Sequence, residues 1–247
     1  MSLFQTISVT CPHCGTQQAF DAVYSVNADR RADLRDEILE DSFQFETCES
    51  CNEQFRLDPM FVYLDIGRGQ WISAKPLAAL GDWPQEQDTA ASLMAESYGA
   101  AASAPARAVG DGLSARVTFG WPALREKIVV NAAGLDDVAL ELTKAALMRT
   151  QEDLPLTTGR ELRLVSVADD VMTIVLVDAQ SEAVIESMDL PIGFYSHIAV
   201  SVADFGNSAI TLADGPFVDV QKLYIGDPDA PADDLQSGVE AEPEAAA

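Results

Sequence analysis

Four cysteines in two pairs are the residues of this chain whose types and spacing point most directly to chemistry. The pairs are Cys11 with Cys14 and Cys48 with Cys51, each with two residues between the thiols. Two such C-x-x-C units supply four thiolates, the ligand set of a closed tetrahedral zinc site. The 33 residues between the pairs exceed the spacing of compact zinc sites and leave room for a helix. We predict that Cys11, Cys14, Cys48 and Cys51 bind one structural Zn²⁺.

The residue after each pair agrees with this interpretation. A metal-binding turn points backbone N–H groups at the sulfur atoms, and the residue after the second cysteine needs a positive φ. Gly15 meets that requirement without steric cost. Asn52 stands at the matching position of the second pair, and asparagine tolerates this conformation well.

Other roles for the cysteines are a redox dithiol or four unrelated thiols. Cys-Pro-His-Cys also occurs in thioredoxin-fold oxidants, where a long helix follows the motif, but the residues after Cys14 are a poor helix start. A catalytic zinc would need an open coordination position, and four cysteines fill the shell. His13 lies between two ligands, where its ring is expected to face solvent.

Short strands and one helix are predicted to position the two cysteine turns. Strands are predicted at residues 3–9, 43–47 and 54–57, and a helix capped by Asn27 at residues 28–41. Residues 61–64 and 71–72 flank a glycine-containing turn and predict a hairpin. Together these elements predict a zinc-ribbon-like module at residues 1–76.

Several of these segments resemble the bacterial CpXC domain family. The similar segments are residues 7–15, 26–27, 34–39, 48–51 and 63–65, so the resemblance covers about residues 1–76. The family has two Cys-Pro-x-Cys motifs; the first is intact, and Glu49 replaces the proline of the second. The resemblance implies a four-cysteine metal site and assigns no reaction.

The remainder of the chain divides into three predicted parts. Residues 77–114 are rich in alanine and are predicted to be a linker, in part helical. Residues 115–226 are predicted to form an α+β domain with a helical hairpin and an antiparallel sheet. Residues 227–247 contain seven acidic residues and no basic ones, which predicts a disordered tail. The predicted fold class is therefore α+β throughout.

Within the second domain the sequence predicts one strand, two helices and a meander. The strand is residues 115–119, the helices are residues 122–131 and 137–150, and the meander strands are residues 161–167, 171–177, 184–190, 197–202 and 217–224.

Composition limits the classes of partner. The net charge of −25 disfavours broad binding to nucleic acid or anionic membranes, although Arg30, Arg31 and Arg35 form a local basic group. A basic protein partner fits the charge better. No secretory signal and no membrane-spanning segment is evident, so we expect a cytoplasmic protein without membrane contact.

Signals for catalysis are sparse, and no catalytic or cofactor-binding residue is predicted. Ser196 and His197 lie in a strand-like run that places their side chains on opposite faces. Two explanations compete for Asp136, Asp137 and Glu141: a site for a hard cation, or a helix cap with an acidic first turn, which we favour. Residues 125–127, with the sequence Arg-Glu-Lys, are predicted to lie on a solvated helix face.

The hypothesis that follows is a zinc-stabilised interaction or adaptor protein. The alternative is an enzyme, for example a hydrolase, with its site in the second domain and a purely structural zinc. A deep pocket with convergent acids near the helical hairpin would favour the enzyme.

Overall fold

The computed structural model describes residues 2–150 and 159–225. Its strands are β1 (Leu3–Thr10), β2 (Gln17–Asn27), β3 (Phe45–Thr47), β4 (Gln54–Arg56), β5 (Phe61–Asp65), β6 (Gln70–Lys75), β7 (Ser114–Phe119), β8 (Arg160–Ala168), β9 (Val171–Asp178) and β10 (Val184–Pro191). Its α-helices are α1 (Ala32–Leu39), α2 (Trp83–Tyr98), α3 (Ala104–Gly110), α4 (Gly120–Ala132), α5 (Asp137–Thr150), α6 (Ile192–Ala199), α7 (Asn207–Ala213) and α8 (Lys222–Ile225). The predicted α+β class is confirmed; the predicted acidic tail, residues 227–247, lies outside the described residues.

A five-stranded sheet forms the N-terminal half, in the order β1-β2-β5-β6-β7. The first two strands are antiparallel, β2 and β5 are parallel, β5 and β6 form an antiparallel hairpin, and β6 and β7 are parallel. The last strand comes from beyond the predicted linker, so this sheet joins residues on both sides of it. The division of the chain into separately folding domains stays a prediction.

Each cysteine pair occupies the turn of a hairpin. The first pair lies between β1 and β2, and the second lies between the short strands β3 and β4. The strand β2 was not predicted, and it extends to Asn27, so the helix between the pairs begins at Ala32 and is shorter than expected. The predicted cap at Asn27 is wrong, because Arg31 precedes α1 and no side chain caps the helix; the Asn27 side-chain oxygen instead accepts a hydrogen bond of 3.1 Å from the N–H of Arg30 in the turn before α1.

The strands β5, β6 and β7 of the five-stranded sheet are covered on both faces, whereas β1 is largely exposed. One face packs on α1 and α4 through a core that includes Ile38, Ile72 and Trp121. The other face packs on α2 through Trp71, Trp83 and Phe119. The alternation of Trp71 and Ile72 between the two cores is the period of two that a strand imposes on its side chains.

The predicted linker is largely helical in the structure. It contains a 3-10 segment (Leu77–Asp82) followed by α2 and α3. The side chain of Ser103 caps α3 by accepting a hydrogen bond from the N–H of Ala106. Ala90 is fully buried, because a small side chain allows α2 to pack closely against its neighbours.

The C-terminal sheet is antiparallel, in the order β10-β9-β8, as predicted for the first three meander strands. The predicted strand at residues 197–202 is wrong, because α6 occupies residues 192–199. Its buried residues, Tyr195 and Ile198, are three apart, which is helical spacing and places both on one face. Ser196 and His197 are both exposed on this helix.

The predicted strand at residues 217–224 is also wrong. Residues 217–221 have no strand partner among the described residues and cross the fold as an irregular segment, here called the strap, and α8 begins at Lys222. Phe217 packs between Trp83 and Phe119, at ring-centroid distances of 5.5 and 5.2 Å. The N–H of Val220 donates to the Glu141 carboxylate at 2.9 Å. The apolar alternation that predicted a strand therefore reflects burial between two cores.

A network of buried charges connects this strap to α4, α5 and β8. Glu126 and Lys127, predicted to be solvated, are 0% and 4% exposed, so that prediction is wrong. They are buried because α4 is covered on several sides, and each meets a partner of opposite charge. Arg125 is partly buried and pairs with Asp41 and Glu182.

Two cations lie at the centre of this network. The Lys144 ammonium is 2.7 Å from Glu126 and 3.0 Å from Glu141. The Arg163 guanidinium is 2.6 Å from Asp219 and also contacts Glu126 and Glu161. Buried charges are tolerated only when paired in this way.

The cap of α5 yields a testable prediction. The Asp136 carboxylate accepts a hydrogen bond of 2.8 Å from the N–H of Ala139, which confirms its predicted role as a cap. We expect Asp136→Ala to lower the free energy of unfolding by about 1 kcal/mol, measured by urea denaturation. Asp136→Asn keeps the acceptor and should cost much less; an equal loss in both variants would show that charge, not capping, matters here.

The pKa of Asp219 predicts how stability depends on pH. Burial acts to raise this pKa, but Arg163 and Lys144 outweigh burial and lower it to about 2. Because the pKa of an unfolded aspartate is about 4, the charged form stabilises the fold above that pH, and this stabilisation is lost as the pH falls towards 2. The stability difference between the wild type and Asp219→Asn should therefore shrink between pH 5 and pH 2, measured by urea denaturation. A difference independent of pH would contradict this account.

Within residues 2–150 and 159–225, no helix is both long enough and apolar enough to cross a membrane.

Candidate metal centre

The two cysteine turns have the same backbone hydrogen bonds. In the first, the N–H of Gly15 donates to the carbonyl of Cys11, and the N–H of Cys11 donates to the carbonyl of Thr16, both at 2.9 Å. In the second, the N–H of Asn52 donates to the carbonyl of Cys48 at 2.8 Å, and the N–H of Cys48 donates to the carbonyl of Glu53 at 3.0 Å. Two separate segments thus form one turn geometry, which directs the thiols of each pair to the same side.

The positive φ angles expected after each pair are present. Gly15 has a φ of +74° and Asn52 a φ of +59°. These values lie in the left-handed region that glycine adopts freely and asparagine tolerates. The backbone prediction for both turns is confirmed.

The four sulfur atoms form a compact cluster. Contacts between the pairs bring Cys11 Sγ within 3.8 Å of Cys51 Sγ, and Cys14 Sγ within 3.6 Å of Cys48 Sγ. All four lie within 4.8 Å of one another. A tetrahedral ion with metal–sulfur bonds of about 2.3 Å separates its ligands by about 3.8 Å, so the cluster fits such an ion. The distances are too long for disulfides, which need about 2.05 Å.

Burial differs among the four cysteines. Cys11 and Cys48 are 2% and 0% exposed, Cys51 is half-buried and Cys14 is exposed. The two buried cysteines, Cys11 and Cys48, pack against Phe55 in a small apolar core. An ion bound by these four cysteines would lie near the surface, with two of its ligands fixed by the core.

Residues outside the cluster hold the two turns together. The Gln18 side chain, on β2, accepts a hydrogen bond from the N–H of Glu49 and donates one to the Ser50 hydroxyl, both at 3.1 Å. Phe20 and Phe55 pack edge to face with ring centroids 5.4 Å apart. These contacts join the first hairpin to the second, as supporting residues do around many metal sites.

Without a bound metal, the pKa values of two of the four thiols are shifted in opposite directions. A hydrogen bond with the Thr16 hydroxyl is the main cause that lowers the pKa of Cys14 to about 6. For Cys51 the N–H of Glu53 acts to lower the pKa, but burial and the neighbouring thiols outweigh it and raise the pKa to about 12. Metal binding must therefore displace protons from the cluster.

The other sequence candidates are not brought into the cluster. His13 is exposed and is absent from the group of ligand atoms that lie together. A second group of close carboxylates is formed by Glu126, Glu141 and Asp219. Lys144 and Arg163 already bind these acids, so protein cations neutralise that group. Asp137, considered above as part of a cation site, pairs with Arg116 at 2.6 Å and with Lys127 at 3.2 Å.

A polar pocket lies beside the helical hairpin, where an enzyme site was considered. It has a volume of about 170 Å³ and includes Gln70, Arg116, Lys127 and Asp137 in its lining. Burial acts to raise the pKa of Asp137, but Lys127 and Arg116 outweigh it and lower that pKa well below its usual range. The acid and the cations of this pocket are thus engaged with one another.

A larger cleft of about 860 Å³ lies beside the metal centre. Its walls come from β1 and β2, from the second cysteine hairpin, from α4 and from the turn between β9 and β10. Trp121 forms part of the floor, and its ring N–H donates to the carbonyl of Leu57 at 3.0 Å. Sequence reasoning missed this cleft because its walls are distant in the chain.

Arg56 fixes one wall of this cleft. Its guanidinium lies 4.0 Å from the ring centre of Trp121 and pairs with Asp41 and Glu182. Arg125 pairs with the same two acids. Because Glu182 belongs to the turn between β9 and β10, these ion pairs connect the C-terminal sheet to the hairpin that carries Cys48 and Cys51.

Comparison with known proteins identifies one family. A family model described as CpXC protein matches residues 9–144, more than half of the chain. The match extends beyond the resemblance at residues 1–76 and includes α2, α4 and most of α5. No curated protein and no solved structure matches the chain.

Proposed function

Because this chain belongs to the CpXC family, we propose that its four cysteines hold one structural zinc ion and that the protein serves as a zinc-stabilised interaction or adaptor protein. The observation that carries the proposal is the cluster of four sulfur atoms, which offers four protein ligands and so leaves no open position for a substrate. When bound, the ion would supply a rigid cross-link between the two hairpins.

The choice of zinc follows from the ligands. Four thiolates in tetrahedral geometry favour zinc or an iron–sulfur site over hard cations. The sulfur–sulfur distances of 3.6 and 3.8 Å between the two pairs match the spacing of ligands around one ion at the centre of the cluster. We place the protein in a reducing compartment such as the cytoplasm, where free thiols persist for metal binding.

The interaction role rests on the surface next to the zinc site. The cleft beside the cluster is lined by apolar side chains, and a large part of several of them is exposed. Exposed apolar surface of this kind is typical of protein–protein contact sites. A net charge of −25 favours partners with basic surfaces over nucleic acids.

Two measurements test this proposal. The full chain, purified without added metal, should contain one zinc per chain by elemental analysis, and the same preparation should capture a specific protein from an extract of its native cells. Cys48→Ser should capture less of it, and Glu49→Ala, an exposed change within the same turn, should capture as much as the wild type. A protein without zinc, or one that captures no partner but turns over a small substrate, would overturn the proposal.

The enzyme alternative has one observation in its favour, the polar pocket beside α4 and α5. A reaction there would use Lys127 or Asp137 for proton transfer, and either would first have to leave its ion pair. Substrate turnover that is lost in Lys127→Met and retained in Glu49→Ala, with one zinc per chain in both variants, would favour this alternative over the interaction role.

A further inference from the structure

We propose that the cleft beside the metal centre binds an extended peptide segment of a partner protein, whose cleft-facing side chains are apolar residues with a lysine or arginine among them. This inference rests on the proposed interaction role and names the chemistry of the partner. It combines three features of one surface: a free strand edge, an exposed apolar lining and a carboxylate without a cation.

The free strand edge is β1. Among the described residues this strand pairs with β2 alone, so its outer backbone groups have no strand partner. Ile7 and Val9, two apart on β1, both line the cleft. A strand added beside β1 would therefore place every second side chain over the cleft, which is how peptides bind to exposed sheet edges.

The apolar lining remains accessible to water. Met60 is 59% exposed, Tyr24 is 48% exposed and Phe45 is 40% exposed, and all three line the cleft. Side chains of this size are rarely left exposed together on one surface unless a partner covers them. Apolar residues on one face of the peptide would fill this space.

The charge of the cleft favours a basic segment. Arg56 lies in its wall but is already neutralised by Asp41 and Glu182, so it offers little attraction to an acidic ligand. Asp58 also lines the cleft, and no ion pair joins it to a cation within the described residues. Partial burial in the cleft raises the pKa of the Asp58 carboxyl, although the residue is still exposed to water and therefore accessible to a partner. A lysine or arginine of the partner would supply the missing counter-charge.

The metal centre sets the distance between two walls of the cleft. Val9 on one wall and Phe55 on another pack in the same small core as Cys11 and Cys48. A bound ion ties Cys11 to Cys48, so it also fixes these two walls. Removal of the ion should weaken peptide binding through this connection.

The test uses two synthetic probes of equal length with the zinc-loaded full chain. One peptide carries valines and one lysine at every second position, the other carries a glutamate in place of that lysine, and serine fills the positions between; each peptide carries a fluorophore, and binding is followed by anisotropy. We expect the lysine peptide to bind at least about tenfold more tightly than the glutamate peptide. Equal affinities for the two peptides would overturn the proposal.

Two variants and one control locate the contact. Met60→Asp and Asp58→Lys should each weaken binding of the lysine peptide by about tenfold. Glu96→Lys makes the same change of net charge at an exposed residue of α2, outside the cleft lining, and should weaken binding by less than about twofold. Equal effects of Asp58→Lys and Glu96→Lys would show general charge attraction and overturn the assignment to this cleft.

Peptide methylation tests strand addition. Methyl groups on alternate backbone nitrogens block one edge of the peptide, so one register of methylation should abolish binding and the other should preserve it. Binding that is unaffected in both registers would overturn the strand geometry.

The proposed function can stand when this inference fails. If Met60→Asp and Asp58→Lys retain one zinc per chain and still bind the wild-type partner with wild-type affinity, the cleft is not the contact surface and the inference is overturned, while the interaction role remains. A chain without zinc overturns the proposed function itself.

Discussion

Replacing Cys48 with serine is expected to abolish zinc binding and to lower the free energy of unfolding of the N-terminal sheet by more than about 4 kcal/mol. Cys48 is fully buried, and its sulfur lies 3.6 Å from that of Cys14. Serine lacks the soft thiolate that this cluster offers a metal, so only three thiols would remain to bind the ion. Because a structural zinc contributes directly to folding, its loss should unfold both hairpins.

Elemental analysis and thermal unfolding measure this effect together. Glu49→Ala is the matched control, since it changes an exposed side chain of the same turn and leaves all four thiols in place. A chelator added to the wild type should reproduce the effect of Cys48→Ser. Unchanged melting of the metal-free wild type would show that the ion does not stabilise the fold.

Replacing Arg163 with methionine should cost about 3–5 kcal/mol of stability. Arg163 is 2% exposed and lies among the carboxylates of Glu126, Glu161 and Asp219. Methionine keeps much of the volume but leaves three buried acids without this cation. Since Asp219 lies in the strap, the strap should detach before the rest of the fold.

Urea denaturation of Arg163→Met, beside Arg160→Met, measures this cost. Arg160 lies on the same strand but is half-buried at its start, and its replacement should cost less than about 1 kcal/mol. The double variant Arg163→Met with Asp219→Asn should be more stable than the sum of the single changes predicts, because the second change removes one of the unpaired acids. Strict additivity would contradict a direct pairing of the two residues.

The cysteine turns could be predicted from the sequence because their chemistry is local. A C-x-x-C spacing and the φ requirement at Gly15 and Asn52 are properties of a few adjacent residues, and the structure confirms the turn geometry at both. The cap at Asp136 was predictable for the same reason, since capping joins residues three positions apart.

The errors lie where burial depends on distant segments. The short apolar alternation of residues 197–202 and 217–224 predicts strands, but a helix end and a buried irregular segment also produce such a pattern. Glu126 and Lys127 were interpreted as solvated because their partners, Lys144, Arg163 and Asp137, lie on other elements. One signal was available: α5 is apolar on more than one side, and a helix of that kind can hold Glu141 and Lys144 only as buried, paired charges.

The cleft and its ion pairs are likewise a product of tertiary structure. Glu182 lies more than a hundred residues after Arg56, and the two meet only because the turn between β9 and β10 packs against the second cysteine hairpin. No spacing rule connects such positions. The family match to residues 9–144 ends before this turn.

X-ray absorption at the zinc edge of the full chain, purified without added metal, tests the central claim most directly. We predict a first shell of four sulfur atoms at about 2.3 Å from one zinc, with no oxygen or nitrogen ligand. That result would establish a closed, structural site made of Cys11, Cys14, Cys48 and Cys51. A shell with fewer sulfur atoms and a bound oxygen or nitrogen would contradict it, because an open position would make the metal available for catalysis.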